Sequence, residues 1–330
     1  MGDIDISKAE RPVRVRVGGV DVERMKEFRR RFPPAAKRHL YIRDHILFPD
    51  REPRTNPEKN EFKDPAKVTQ ELKKMALDMG AQEVGVASFD PRFTFAQVDQ
   101  IEHKAVIVIA IAMEYDFMAD IGPRSQDEVH RVYYELDDIG MRLAHHIAGY
   151  GYNARMQPNA GDFPLPAYGW LAGIGELGKH GSLISPKLGS SFRLCAVSTD
   201  MPLVADGPQD YGIDEVCAKC GICERFCPGG AIKPEKQTVG GIERWIVERE
   251  TCEPYFHKLY GCKICLTVCP LNSRGIYGAA FKKLSKDIVK TKDAAGMLAL
   301  IEDRTDMKYG DFEVTDNPVE EGESRDIDKE

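Results

Sequence analysis

The sequence predicts an α/β protein with a second, smaller domain built on cysteines, and three observations carry that prediction. Segments of helical period and segments of strand period alternate between about residues 65 and 200. One of them, "AVIVIAIAM" from Ala105 to Met113, is apolar on both faces, as a strand inside a covered sheet is. Eight of the nine cysteines lie beyond residue 216, in two dense groups. At 330 residues the chain is too long for one simple core, and its 42% hydrophobic content is enough to fill two.

Taken in order, residues 1–62 are rich in Arg and Pro, show little periodicity and read as an extension that wraps or pads a domain without chemistry of its own. Residues 63–208 form the main domain. Val68, Leu72, Met75, Ala76 and Met79 share one helical face, Gly80 stops that helix, and "EVGVASF" follows as a strand. "AVIVIAIAM" is the next strand. "DEVHRVYYELDDIGMRLAHHIAGYGYNAR" is a long helix ending near Gly149, and a glycine-rich stretch from Asn159 to Leu203 closes with a strand over Phe192–Ser198. Residues 209–280 form the cysteine domain, and 281–330 a C-terminal helix and acidic tail.

Charge says little about partners. The formal net charge is −7, but residues 301–330 alone hold 12 acidic and 4 basic side chains, so the rest is near neutral. That balance neither demands nor excludes nucleic acid, which is not among the expected partners on other grounds. No run approaches the roughly 18 to 20 apolar residues of a membrane span. "RRRF", Arg29–Phe32, invites an export-signal reading, but Lys37, Arg38 and His39 break the apolar stretch that should follow. The expected compartment is the cytoplasm, where thiols stay reduced and serve metals.

The first cysteine group, Cys217, Cys220, Cys223 and Cys227, has the spacing C-x2-C-x2-C-x3-C-P; the second is Cys262, Cys265 and Cys269 before Pro270, with Cys252 ten positions upstream. Two short gaps place three sulfurs around one face of a cubane, and the fourth Cys-Pro turns to the other cluster. The spacing predicts one 4Fe-4S cluster on Cys217, Cys220, Cys223 and Cys269, and a second on Cys227, Cys252, Cys262 and Cys265. Zinc sites come as separated C-x2-C pairs, and disulfides conflict with the expected compartment. Cys195, inside a strand, reads as core.

"GIGELG", Gly173–Gly178, matches G-x-G-x-x-G, but no strand precedes it and Arg193 stands where an acidic residue would bind ribose. The density of Gly161, Gly169, Gly173, Gly175, Gly178, Gly181 and Gly189 suggests either tight loops or close backbone approach to a large flat cofactor, the second being the preferred reading.

The order "AGIGELGKHGSLISPKLGSSFRLCAVSTDMPL", "DYGIDEVCAKCGICERFCPGGAI", "GCKICLTVCPLN" resembles the cobalamin-dependent reductive dehalogenases, over about residues 65 to 275. The related epoxyqueuosine reductases share the architecture. The resemblance implies a nitroreductase-like α/β domain holding base-off cobalamin beside a ferredoxin-like domain with two 4Fe-4S clusters. It implies replacement of halogen by hydrogen in a small organohalide, with electrons from an external donor such as a ferredoxin or flavodoxin. It also implies a tyrosine as proton donor with a basic residue beside it, since a nearby cation favours the phenolate and eases proton release. Here the tyrosine is expected to be Tyr134, with Tyr133 second, and its partner Arg193, with Lys179 competing. The reading of these tyrosines as core packing stands beside it. Gly173, Gly175, Lys179, His180, Gly181, Ser182 and Thr199 are the expected cobalamin contacts. Asn159 stands where the epoxyqueuosine reductases place an acidic donor, and an amide cannot serve as a general acid. Two alternatives remain: a tRNA-modifying enzyme of that second type, and a two-cluster electron carrier without corrinoid.

Overall fold

The computed structural model describes residues 10–12, 28–99, 101–119, 122–159 and 161–272. The expected C-terminal helix and tail, residues 281–330, lie outside the described residues.

Helix α1 (Pro34–Ile42) belongs to the N-terminal extension, and helix α2 (Pro65–Asp78) opens the main domain. The side chain of Asp64 caps α2 by accepting from the Lys67 amide at 3.1 Å, and Val68, Leu72 and Ala76 form its buried face. Strands β1 (Glu83–Ser88) and β2 (Ala105–Ala112) follow, then α3 (Tyr115–Ala119), the 27-residue α4 (Pro123–Gly149), β3 (Ala154–Gln157) and α5 (Leu165–Leu171). A short hairpin of β4 (Glu176–Leu177) and β5 (Leu183–Ile184) leads to β6 (Phe192–Thr199).

The main sheet has the order β1-β2-β6-β3, and every neighbouring pair runs antiparallel. The alternation of helix and strand in the sequence thus yields a sheet whose partners are distant in the chain. The two-faced strand β2 is used as its composition demands. Ala105, Ile107, Ile109 and Ile111 enter one core with α2 and α4, while Val106, Val108 and Ala110 enter a second with α5 and Tyr168. Cys195 is fully buried in the first core, its Sγ donating to the Leu136 carbonyl at 3.1 Å, as expected of a packing residue.

Beyond β6 come α6 (Ile213–Cys220), α7 (Ile222–Arg225), the hairpin β7 (Gln237–Val239) and β8 (Ile242–Arg244), α8 (Arg249–Lys258) and α9 (Ile264–Thr267). The two-residue turn of that hairpin is Gly240–Gly241, both at positive φ, which is what a type I′ turn requires. Ile213, Val216, Ile222, Phe226, Trp245, Ile264 and Val268 form the core of this region, and Ile184 of the β4–β5 hairpin completes it. Polar tethers join it to the main domain. Glu176 accepts from the Ile213 amide at 2.6 Å, Tyr211 donates to the Gly173 carbonyl at 2.6 Å, and Asn272 donates to Ser191 Oγ at 2.7 Å.

The extension touches two regions of the fold. Helix α1 lies against α4 and buries Ala36 and His39, while Phe28 packs on Phe256 and Arg31 lies over the ring of Tyr260. It spans from the long helix to the cysteine domain. Among the described residues, no helix is long and apolar enough to cross a membrane.

Candidate functional site

Cys217, Cys220, Cys223 and Cys269 line one void, together with Lys179, His180 and Pro270. Cys252 feels Cys262 and Cys227, and Cys265 feels Cys262, Cys252 and Cys227, so these four lie near one another, with Cys265 also felt by Cys223. Burial pushes the Cys269 thiol up to about 12, with Cys220 adding to the rise, and the Cys252 thiol up to about 11, with Cys262 and Cys227 adding. Cys217 and Cys223 are raised well above the ordinary thiol range by burial and by neighbouring cysteines. Crowded, buried sulfurs of this kind need positive charge among them, which the irons of a cluster supply. Among the described residues, no group of three or more His, Cys, Asp or Glu side chains is drawn together as ligands of a single ion. Cubane ligands, which reach to separate corners around a void, are spread more widely than ligands of one ion. The donor set fits two 4Fe-4S clusters.

The glycine-rich loop has a structural account. Helix α5 precedes "GIGELG" and the strand β4 falls inside it, so the dinucleotide geometry is absent. A Cβ on Gly175 would stand 2.1 Å from the Ile184 carbonyl oxygen, so the hairpin partner, part of the chain itself, crowds this position. The preferred reading of the glycines as an approach to a flat cofactor loses that motive at Gly175. Gly173 and Gly181 adopt φ of 71° and 74° in the turns beside it. Thr199 is likewise engaged within the fold. Its hydroxyl donates to the Asn153 carbonyl at 2.6 Å and accepts from the Met201 amide at 3.0 Å.

Within "GKHGS", Lys179 Nζ lies 4.9 Å over the ring of Trp245 and 3.8 Å from Glu224 Oε2, facing the cysteine domain and remote from Tyr133 in partners. His180 is buried beside the first thiol group, and burial lowers it to about 4, so it is neutral. Its Nδ1 accepts from the Ser182 amide at 3.2 Å, which leaves the ring hydrogen on Nε2, a buried atom without a hydrogen-bond partner.

The guanidinium of Arg193, on β6, lies over the ring of Tyr133 with 5.4 Å from its carbon to the ring centre. The pairing expected first for Tyr134 therefore falls on Tyr133. The reason is helix phase: Tyr133 is buried toward the sheet, while Tyr134, one residue on, turns 100° away and is half-exposed. Arg193 Nε is buried without a hydrogen-bond partner. Lys263 stands near it, fully enclosed, its Nζ donating to the carbonyls of Tyr260 and Gly261 at 2.7 Å each. Burial, then Arg193, lowers this amine to about 7. Asn159 is exposed at the turn after β3.

Three residues passed over in the sequence surround Tyr133. His130 and Asp137 share its face of α4, and His39 enters from α1. The signal was present as the spacing 130, 133, 137, which puts a histidine, a tyrosine and an aspartate on one stripe of a helix. That stripe is buried, which periodicity in apolar residues does not reveal.

Residues 216–273 match the family model of the 4Fe-4S dicluster domain. The chain is 35% identical over 142 residues to the trichloroethene reductive dehalogenase of Dehalococcoides mccartyi, a stretch of 40% of this chain and 24% of that protein. It is 27% identical over 239 residues to a tetrachloroethene reductive dehalogenase of Desulfitobacterium hafniense, covering 68% of this chain and 43% of that one. An epoxyqueuosine reductase of Leadbetterella byssophila is 38% identical over 109 residues, 31% of this chain and 35% of its own. In three dimensions the chain superposes on the structure of a catabolic reductive dehalogenase with a TM-score of 0.75 over 85% of its length and 44% of the other's, at 24% identity. The chain spans less than half the length of each of these proteins.

Proposed function

We propose that this chain, a relative of the reductive dehalogenases in sequence and in fold, is a corrinoid- and iron–sulfur-dependent reductase that replaces halogen by hydrogen in a small organohalide. The observation that carries the reading is the conjunction of two four-thiol groups with Tyr133 and Arg193 in one molecule. Such a replacement takes two electrons and one proton. The thiol groups fit clusters in series for the first requirement, and the tyrosine under a cation answers the second.

Cys217, Cys220, Cys223 and Cys269 would hold the cluster nearer His180, and Cys227, Cys252, Cys262 and Cys265 the other. Cobalamin, when bound, supplies a low-potential cobalt centre for cleaving the carbon–halogen bond. His180 Nε2, with a hydrogen and no acceptor, is the residue placed to meet a corrin side chain or the cluster. Tyr133 holds the proton to be delivered at its hydroxyl. Arg193 lies across its ring and keeps a free Nε–H for a substrate oxygen or a departing halide. Lys263, buried beside Arg193, is lowered to about 7 by burial and then by Arg193, so its charge is divided between the two forms near neutral pH. The electron donor is an external low-potential carrier, and the compartment is the cytoplasm.

The test uses anaerobically purified protein supplied with cobalamin. Metal analysis is expected to give about eight irons and one cobalt, the count that two cubanes and one corrinoid require. The Co(II) EPR signal should disappear on reduction, and an organohalide should then be turned over. Eight irons with no retained cobalt would leave an electron carrier. Binding of tRNA, with turnover of its modified base and none of an organohalide, would favour the epoxyqueuosine-type reading.

A further inference from the structure

Next to Tyr133 lies a polar chain that the scheme above leaves unused. His39, fully buried, places Nε2 3.1 Å from Asp137 Oδ2 and Nδ1 2.9 Å from Nδ1 of His130. Asp137 and His130 are also buried, 1% and 4% exposed. The rings of His39 and His130 both meet Tyr133, the first stacked at 6.2 Å between centres, the second edge to face at 5.9 Å. Two facing Nδ1 atoms at 2.9 Å share one hydrogen, so the position of that hydrogen dictates the tautomer of His130. Arg43, Lys263 and Arg193 are the basic groups that face this set, and Asp137, raised above the usual carboxylate range by burial against the opposing bond from His39, is its acid. Three buried polar side chains stabilise a core less well than apolar ones of similar size, so their presence points to a role in the adjacent chemistry.

We propose that Asp137, His39 and His130 form a one-proton store that restores Tyr133 after it has given up its proton. The inference rests on the reductase reading for the role of Tyr133. In the filled store, His39 carries hydrogens on both ring nitrogens, one toward Asp137 and one toward His130 Nδ1, and His130 carries its hydrogen on Nε2. Tyr133 loses its phenolic proton to the carbon that receives the electron pair. The phenolate oxygen, which makes no direct hydrogen bond to His130, then regains a proton through an intervening water that takes the Nε2 hydrogen of His130, and His130 Nδ1 takes the Nδ1 hydrogen of His39. In net, one O–H and one N–H form, two N–H bonds break, and no electron is transferred. The emptied store is a carboxylate beside a neutral imidazole, and it refills from water along the same atoms in reverse. One proton per turnover is thereby kept in hand.

The test is made on the full chain with clusters and cobalamin in place, labelled with 15N at its 8 histidines. His39 is expected to show both ring nitrogens protonated at neutral pH, and Asp137→Asn to abolish that signal. In Asp137→Asn, turnover should fall at least ~100-fold, the lower edge of what general acid catalysis contributes, with iron and cobalt content unchanged. In a Tyr133→Phe background the same substitution should cost nothing further. His39→Gln is read in the same way where Asp137→Asn fails to fold. A bare nitrogen on His39, or full turnover in Asp137→Asn, overturns the store. A loaded wild type with doubly protonated His39 that reduces no organohalide overturns the reductase reading while leaving the proton-holding group in place.

Discussion

Tyr133 and Tyr134 differ by one step along α4, and that step decides which can act. Tyr133→Phe is expected to lower turnover by two orders of magnitude or more, the scale of a lost proton donor, while Tyr134→Phe changes it less than threefold. Steady-state rates on protein of matched iron and cobalt content check this, and equal losses in the two variants would remove the distinction. Glu176 gives a second prediction at this scale. Burial, partly opposed by hydrogen bonds from the Ile213 and Tyr211 amides, raises its carboxyl from 4.5 to about 6. Between those values the folded protein keeps a proton that the unfolded chain has released. Stability therefore falls as pH rises from 4.5 to about 6, by about 2 kcal/mol in all. Glu176→Gln should flatten that part of the stability curve in denaturant titrations, and an unchanged curve would exclude Glu176 as its source.

At the scale of elements, the β4–β5 hairpin determines how the loop "GKHGS" meets the cysteine domain, and its fit depends on Gly175. Gly175→Ala would set a methyl 2.1 Å from the Ile184 carbonyl, where the backbone must shift. We expect a loss of about 1–3 kcal/mol, typical of overpacking, together with weakened iron retention, because Ile184 also packs into the cysteine domain. Thermal unfolding and iron analysis measure the two effects separately. The elements themselves were largely legible in the sequence. The face of α2, the double-sided burial of β2 and the end of α4 at Gly149 all follow from period and from glycine. The strand order was not legible, because β2 pairs with β6 across 80 to 94 positions of chain and no local pattern encodes a distant edge. The thiol groups were readable since three cysteines at triplet spacing leave little freedom. The site around Tyr133 was only half readable, because Arg193 and His39 reach it from separate segments and only their packing brings them together.

At the scale of the whole molecule, the cysteine domain and the main domain share Ile184, the Glu176–Ile213 bond and the Tyr211–Gly173 bond. Removing iron with a chelator under reducing conditions should leave eight thiols, three of them buried and five part-exposed, without the metal bonds that would tie their segments together. Limited proteolysis is then expected to cut first in residues 213–272, with the main sheet protected until later. Simultaneous loss of both would show that the domains unfold as one unit.

The order of the main sheet also bears on how the molecule is made. Strand β2 has β1 on one edge as soon as both have left the ribosome, but its other edge waits for β6, which ends at Thr199. Through that interval an eight-residue strand without a single charge is open on one edge, although α4, complete at Gly149, can already cover one face. Such a strand is a template for unwanted pairing between nascent chains. Nascent-chain helpers should therefore be needed most while residues 112 to 192 emerge, and iron can be inserted only afterwards, because the cysteines follow the strand that closes the sheet.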